Sequence, residues 1–358
     1  MKTVNKILAI AVCLCVVICC SCSDKGKNAL EFRNEKGKAV LSLSEGFVSL
    51  WIGVEKNTAS SYLKIVDDAD GWQTVLDEES GKTFSEMFRD DCVATLKNLL
   101  SVEYLHDYVY GIDFSDEQQK SVEKEIDSIA QSLGSFKNFE HELEKYGCSA
   151  EDYERYLTLM LKQSTLFNSL YSENGLCPVS EEQKKQYFKD NYAIVNHIYF
   201  DMRGTTKDDG TLVSLTEEEK QVIRDRASVL YGQILSGEIS YEEAFLKNTQ
   251  DGFASEHSYG YFVTDDGTYF DSFVEASFSL ENGEITLTET PSGMHIIRRE
   301  EMVEDYYAYD GDVYAAISEK LIKDDFNGKI STVRDGVYVN DEVISKFDAS
   351  LIRTFEGF

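Results

Sequence analysis

The 358-residue sequence predicts an α+β protein, with a helix-rich lobe interrupted by a small β-α-α-β-α-β-β unit. Three observations carry this. Residues 83–190 are dense in helical periodicity and helix-start signatures. The pattern changes at 193–301 to short apolar runs bounded by turn residues. A helical pattern then returns after residue 301.

The N-terminus comes first. Lys2 and Lys6 precede an almost unbroken apolar run, Ile7 to Cys20. That run is shorter than the roughly 20 residues needed to span a bilayer, and its form is that of a secretory signal. The following "CCSCSDKGK" resembles a bacterial lipobox, with Cys22 as the lipidated residue after a signal peptide of residues 1–21. Cys20 is the other candidate, and an ordinary cleaved signal is the alternative. Acyl chains on that cysteine would hold the protein at a membrane face. Residues 22–37 are polar and read as a tether.

"KAVLSL" (38–43) reads as a strand, and a helix follows from Ser44 to about Val66, with Phe47, Leu50, Trp51 and Val54 on one side. Residues 67–80 read as a loop. A long amphipathic helix at 83–109 repeats Phe84, Phe88, Leu96, Leu99 and Leu100 at helical spacing. Capping boxes are expected at Ser115 with Gln118 and at Ser180 with Gln183, and Ser149 with Asp152 is a near equivalent. The lobe is expected to span 38–190, with 302–358 returning to it.

In the middle region, "AIVNHIYFD" (193–201) reads as a strand. Helices are expected from Thr216 to about Leu235 and after Ser240. "YGYFV" reads as a strand, "YFDSFVEASFSL" as a short helix, and "EITLTE" and "GMHIIRR" as two closing strands. After 301 an acidic linker leads to a helix at about 311–327 and a strand-like "GVYVN".

Charge and composition exclude several functions. The net charge of -30 disfavours nucleic-acid binding, which needs clustered Lys and Arg. Outside the signal region only Cys92, Cys148 and Cys177 remain, with neither disulfide-framework nor zinc-site spacing. No HExxH, GxSxG or phosphate-loop motif occurs, so no metal and no cofactor is expected. Of five histidines, His197 and His295 fall in the first and last predicted strands of the small unit. Such strands often neighbour each other, which would pair the two imidazoles.

The segments "VNHIYFD", "NTQD", "YGYF", "GTYFDSFVEASFSLENGEI" and "TPSGMHIIRRE" resemble, in order and spacing, the parvulin peptidyl-prolyl isomerases. The resemblance covers about 193–301. It implies a site in which His197 and His295 are the paired histidines and Asp251 occupies the Asp-or-Cys position. Thr290 and Ser292 would be nearby hydroxyls, and Tyr259, Tyr269 and Phe273 the apolar pocket for the proline ring. The family's "GGDLG" run is shortened here to "HSYG" (257–260), which leaves open whether the site is active.

Together with the signal region and the returning C-terminal segment, the chain resembles the SurA/PrsA group of extracellular foldases. That resemblance implies unfolded or folding exported polypeptides as partners, and lipid anchoring on the extracytoplasmic face of a bacterial membrane. It also implies a helical lobe that binds clients. Phe47, Trp51, Phe84, Phe88, Tyr104, Tyr108, Phe136, Phe139, Tyr153, Tyr156 and Phe167 could supply aromatic surface there, or could be core. A holdase with an inactive parvulin-like module is the alternative to an active isomerase.

Overall fold

A computed structural model describes residues 27–63, 69–206, 210 and 212–358. The signal peptide, the start of the tether and Cys20 and Cys22 lie outside the described residues. Among the described residues, no helix is long and apolar enough to cross a membrane.

The chain runs β1 (Asn28–Arg33), β2 (Ala39–Ser44), α1 (Glu45–Leu63), α2 (Ala69–Trp72), β3 (Val75–Asp77), β4 (Lys82–Thr83) and α3 (Phe84–Tyr104). A π-helical turn, Leu105–Val109, extends α3. Then come α4 (Asp116–Ser132), α5 (Phe136–Glu144), α6 (Ala150–Tyr171), α7 (Glu181–Asn191) and β5 (Ala193–Asp201). A small hairpin, β6 (Thr205–Thr206) and β7 (Leu212–Val213), precedes α8 (Glu217–Leu235) and α9 (Tyr241–Asn248). Next are β8 (Tyr261–Val263), α10 (Asp271–Phe278), β9 (Ile285–Thr290) and β10 (Gly293–Arg299). The chain closes with α11 (Gly311–Val333), β11 (Val337–Val339) and α12 (Asp341–Ile344).

Side chains set these helix starts. Full capping boxes form at Thr83 with Glu86, Ser115 with Gln118, Ser180 with Gln183 and Thr216 with Glu219. Ser149 and Asp152 satisfy each other's backbone N–H in the same reciprocal way. Each satisfies donors that a helix start leaves open.

Two compact units result. The first comprises the described residues up to Phe167 together with Lys329–Phe358. Its three-stranded sheet has the order β11-β1-β2, antiparallel throughout. One core packs Leu30, Phe32, Leu43, Phe47, Leu96 and Leu100. Another packs Leu50, Val122, Phe139, Leu143, Tyr153 and Phe355. The tether expected at 22–37 is therefore corrected at 28–33, which is a central strand. Leu30 and Phe32 alternate inward, each burial being worth about 1.5–3 kcal/mol. Glu31 and Arg33 are partly exposed and pair at 2.9 Å. Most of the aromatic residues considered for client binding are core. Phe47, Trp51, Phe139 and Tyr153 are buried, whereas Tyr108, Phe136 and Phe167 are exposed.

The second unit is Asn168–Gly328. The lobe boundary expected at 190 thus falls earlier, and 302–328 stays with this unit. The reason is packing: Phe188 of α7, Tyr192 and Ile194 form one cluster with Tyr307 and Ile317. The acidic linker expected after 301 holds a 3-10 turn, Tyr306–Tyr309, whose Tyr307 is fully buried. The sheet order is β8-β5-β10-β9, all antiparallel. Ile198, Phe200, Met294 and Ile296 point to one face, against α8 and α9. Val195 and Ile297 point to the other, against Phe273 and Val274 of α10.

Candidate active site

Register brings the two histidines together. His197 pairs with Ile297, and His295 with Tyr199, across β5 and β10. The imidazoles are therefore diagonal neighbours on the face that meets α10. A slip of one residue would send both to the opposite face. Gly293 allows the strand start, because a Cβ there would meet the Phe200 carbonyl oxygen.

A continuous polar network follows. His197 Nδ1 lies 3.1 Å from His295 Nδ1, and His197 Nε2 lies 3.2 Å from Asp251 Oδ2. The Tyr261 hydroxyl donates to the same Asp251 oxygen, and the Phe253 N–H donates to Oδ1 at 3.0 Å. At the other end His295 Nε2 is 2.9 Å from Thr290 Oγ1, which is 2.9 Å from Ser292 Oγ. Tyr199 stacks on His295 and donates its hydroxyl to the Ser292 carbonyl at 2.8 Å.

Electrostatics set the charge along this network. Burial alone would raise the Asp251 carboxyl, but hydrogen bonds from His197, Tyr261 and the Phe253 N–H win and hold it well below the usual carboxylate range. Burial, then the neighbouring His197, lowers His295 to about 3. The ionised Asp251 can only accept, so His197 donates from Nε2. One proton lies between His197 Nδ1 and His295 Nδ1, and the network continues from His295 Nε2 through the Thr290 and Ser292 hydroxyls. Burial, then the bond to Asp251, raises the Tyr261 phenol.

The aromatic wall is Phe273, set edge-on to His197 at 5.3 Å and to His295 at 5.1 Å between ring centroids. Tyr269 stacks on Phe273 at 5.4 Å. Phe273 is only 3% exposed.

The sequence-predicted His197, His295, Asp251, Thr290, Ser292 and Phe273 thus meet, with Tyr269 behind Phe273. Tyr259 is the correction. It stacks on Tyr309 at 5.1 Å and packs on Tyr306, away from the imidazoles. Gly260 lies between, at φ +91°, where a Cβ would press on Ile194 and Val195. The turn leaves Tyr261, not Tyr259, over Asp251. Sequence reading missed Tyr261 and Tyr199. Tyr199 was detectable as the i+2 neighbour of His197 on the same strand face. His106 and His141 lie in the other unit.

Residues 197–301 match the family model of the PPIC-type PPIase domain (rotamase). No curated protein matches the chain. Among solved structures, PrsA from Bacillus subtilis is 18% identical, covering 78% of this chain and 94% of its own, with a TM-score of 0.24. Foldase protein PrsA from Streptococcus pneumoniae is 13% identical over 74% of this chain and 92% of its own, with a TM-score of 0.27. Peptidyl-prolyl isomerase ESS1 from Candida albicans is 26% identical over 32% of this chain and 64% of its own, with a TM-score of 0.25. At such TM-scores these likenesses carry no argument, and the weight rests on the family match and the geometry just described. Residues 197–301 are a PPIC-type, parvulin peptidyl-prolyl isomerase domain.

Proposed function

We propose that this protein is a membrane-anchored prolyl isomerase and chaperone that assists the folding of exported polypeptides. The observation that carries the reading is the unbroken network from Asp251 through His197 and His295 to Thr290 and Ser292, faced by Phe273. An X-Pro bond resists rotation by about 18–20 kcal/mol because of amide resonance. Catalysis needs no covalent step, only better binding of the twisted amide than of the planar one. Phe273 and Tyr269 offer an apolar seat for the proline ring. The polar groups are already oriented, so they do not reorganise as the carbonyl turns. The ionised Asp251 and neutral His295 define a fixed field across that seat. The imidazoles serve as its organising pair.

The anchor would be Cys22, or Cys20, after removal of the signal peptide. Replacing each by Ser and following the membrane fraction of expressing bacteria identifies which one; retention in the membrane after both changes refutes lipidation. The helical unit would hold client segments, with exposed Tyr108, Phe136 and Phe167 as the remaining aromatic surface.

A second reading, a holdase with an inactive module, is favoured by the burial of Phe273. One experiment separates the two: exchange rates of X-Pro peptides with the full chain. Acceleration above the uncatalysed rate supports the isomerase. No acceleration, with continued suppression of client aggregation, supports the holdase.

A further inference from the structure

A cavity of about 360 Å³ lies within the second unit, beside the prolyl site. It shares walls with that site. Tyr269, which stacks on Phe273, lines it, and so does His257, whose ring lies 4.0 Å from that of Tyr261. Its rim carries Asp266, Asp310 and Asp312. None of the three has a basic partner among the described residues. Asp310 uses one oxygen to cap α11, accepting from the Asp312 and Val313 N–H groups. Asp266 uses one for the Thr268 N–H. The second oxygen of each has no partner among the described residues.

Tyr192 supplies an independent sign of a ligand. It is 5% exposed and lines the cavity, yet its hydroxyl has no hydrogen-bond partner among the described residues. Burial, then Tyr187, then Asp266 and Asp310 push this phenol up to about 12. Burial, then the same two carboxylates, do so for Tyr269. Both hydroxyls thus stand in the field of the acidic rim.

Resting on the isomerase reading, we propose that this cavity is a specificity pocket for a basic side chain, arginine above all, flanking the proline of the client polypeptide. Aromatic walls, phenol oxygens and free carboxylate oxygens suit a guanidinium, which stacks on rings and presents five donors. An acidic or apolar side chain leaves these acceptors unmatched. The cavity would then give this acidic protein a preference for basic stretches of its clients.

The test uses the full chain and two sets of capped pentapeptides, carrying Arg, norleucine or Glu before or after the proline. Binding is measured by calorimetry. One Arg peptide is expected to bind about tenfold more tightly than its norleucine counterpart, with Glu weakest. That preference should shrink at high salt and vanish in D266N/D310N/D312N, in which the asparagine replacing Asp310 can still cap the helix. Equal binding of Arg and norleucine peptides in both sets overturns the proposal, as does a preference that survives the triple substitution. Binding of calcium ions at the same residues without an Arg preference also overturns it. Because binding is read without turnover, the two readings fail separately. Arg preference without acceleration of any peptide sinks only the isomerase. Acceleration without Arg preference sinks only the pocket.

Discussion

Each unit buries a histidine beside an aspartate, and the two pairs are built to different ends. In the first unit His106 lies on the π-helical turn, 2.6 Å from Asp107. Asp107 also meets Lys162 at 2.6 Å, and Lys162 meets Glu103 at 3.0 Å. Arg155 closes the cluster on the buried Glu103 through a bidentate contact. Acids and bases balance there, and the cluster ties the end of α3 to α6. In the second unit Asp251 has no Lys or Arg partner among the described residues. Its charge is met by an imidazole, a phenol and one backbone N–H, and the chain of hydrogen bonds ends in hydroxyls at the sheet edge. A buried His–Asp pair alone therefore does not mark a site. The proposed site adds a carboxylate without a Lys or Arg partner among the described residues, a continuous hydrogen-bonded network and an aromatic wall.

Substitutions on each side put that contrast at risk. The largest effect is expected from Glu103→Ala, which strands Arg155 and removes one of the two carboxylates that Lys162 meets. Removing one partner of such a buried cluster costs about 3–5 kcal/mol. Urea unfolding of the full chain should show that loss, and an unchanged midpoint would reduce the cluster to decoration. Asp251→Ala should instead act on function, lowering the peptide exchange rate roughly 100- to 1,000-fold, as loss of an oriented electrostatic group does. Far-UV circular dichroism and the unfolding midpoint check that the fold survives. An unaltered rate removes Asp251 from the site.

Acid should affect the second unit through His295. Its folded pKa of about 3 lies below the ordinary 6.5. Between those values the unfolded chain holds a proton that the folded chain refuses. Stability is therefore complete above pH 6.5 and is lost as pH falls toward 3, by at most about 1.4 kcal/mol per pH unit. Asp251, whose pKa is also lowered, adds the same sign below about pH 4. Denaturation midpoints at pH 7 and 5, with His295→Asn as reference, check this; equal pH slopes for the two proteins would refute it.

A smaller effect is expected of Tyr261→Phe, which removes one donor to Asp251 and costs about 1 kcal/mol, a rate loss of several-fold. If the rate is unchanged, the phenol is only packing. Tyr259→Ala should be the mildest, within about 0.5 kcal/mol in stability and under twofold in rate. A large rate loss there would return Tyr259 to the proline seat.

Much of the second unit was legible because its signals are local. The strands at 193–201 and 293–299 are rich in β-branched, aromatic and other apolar residues, and the capped helices announce their own starts. The histidine pair was legible from two terminal strands of one small sheet, which often neighbour each other and do so here. The strand at 28–33 was not, because its partners include Val337–Val339, some three hundred residues away. Two charged residues among its six make the segment look solvated. Nor could the sequence choose between Tyr259 and Tyr261, two positions apart on either side of Gly260.

Local sequence was enough for the alternation of helix and strand, the helix starts and the residue types able to form a prolyl site, since each depends on neighbours within one or two turns of chain. Tertiary packing settled the register that makes His197 and His295 diagonal partners, the turn that puts Tyr261 over Asp251, and the contacts that keep Tyr307 and α7 with the second unit. Those outcomes depend on residues from 10 to 126 positions apart. Chain entropy and side-chain volume act jointly on such contacts, and no local pattern records them.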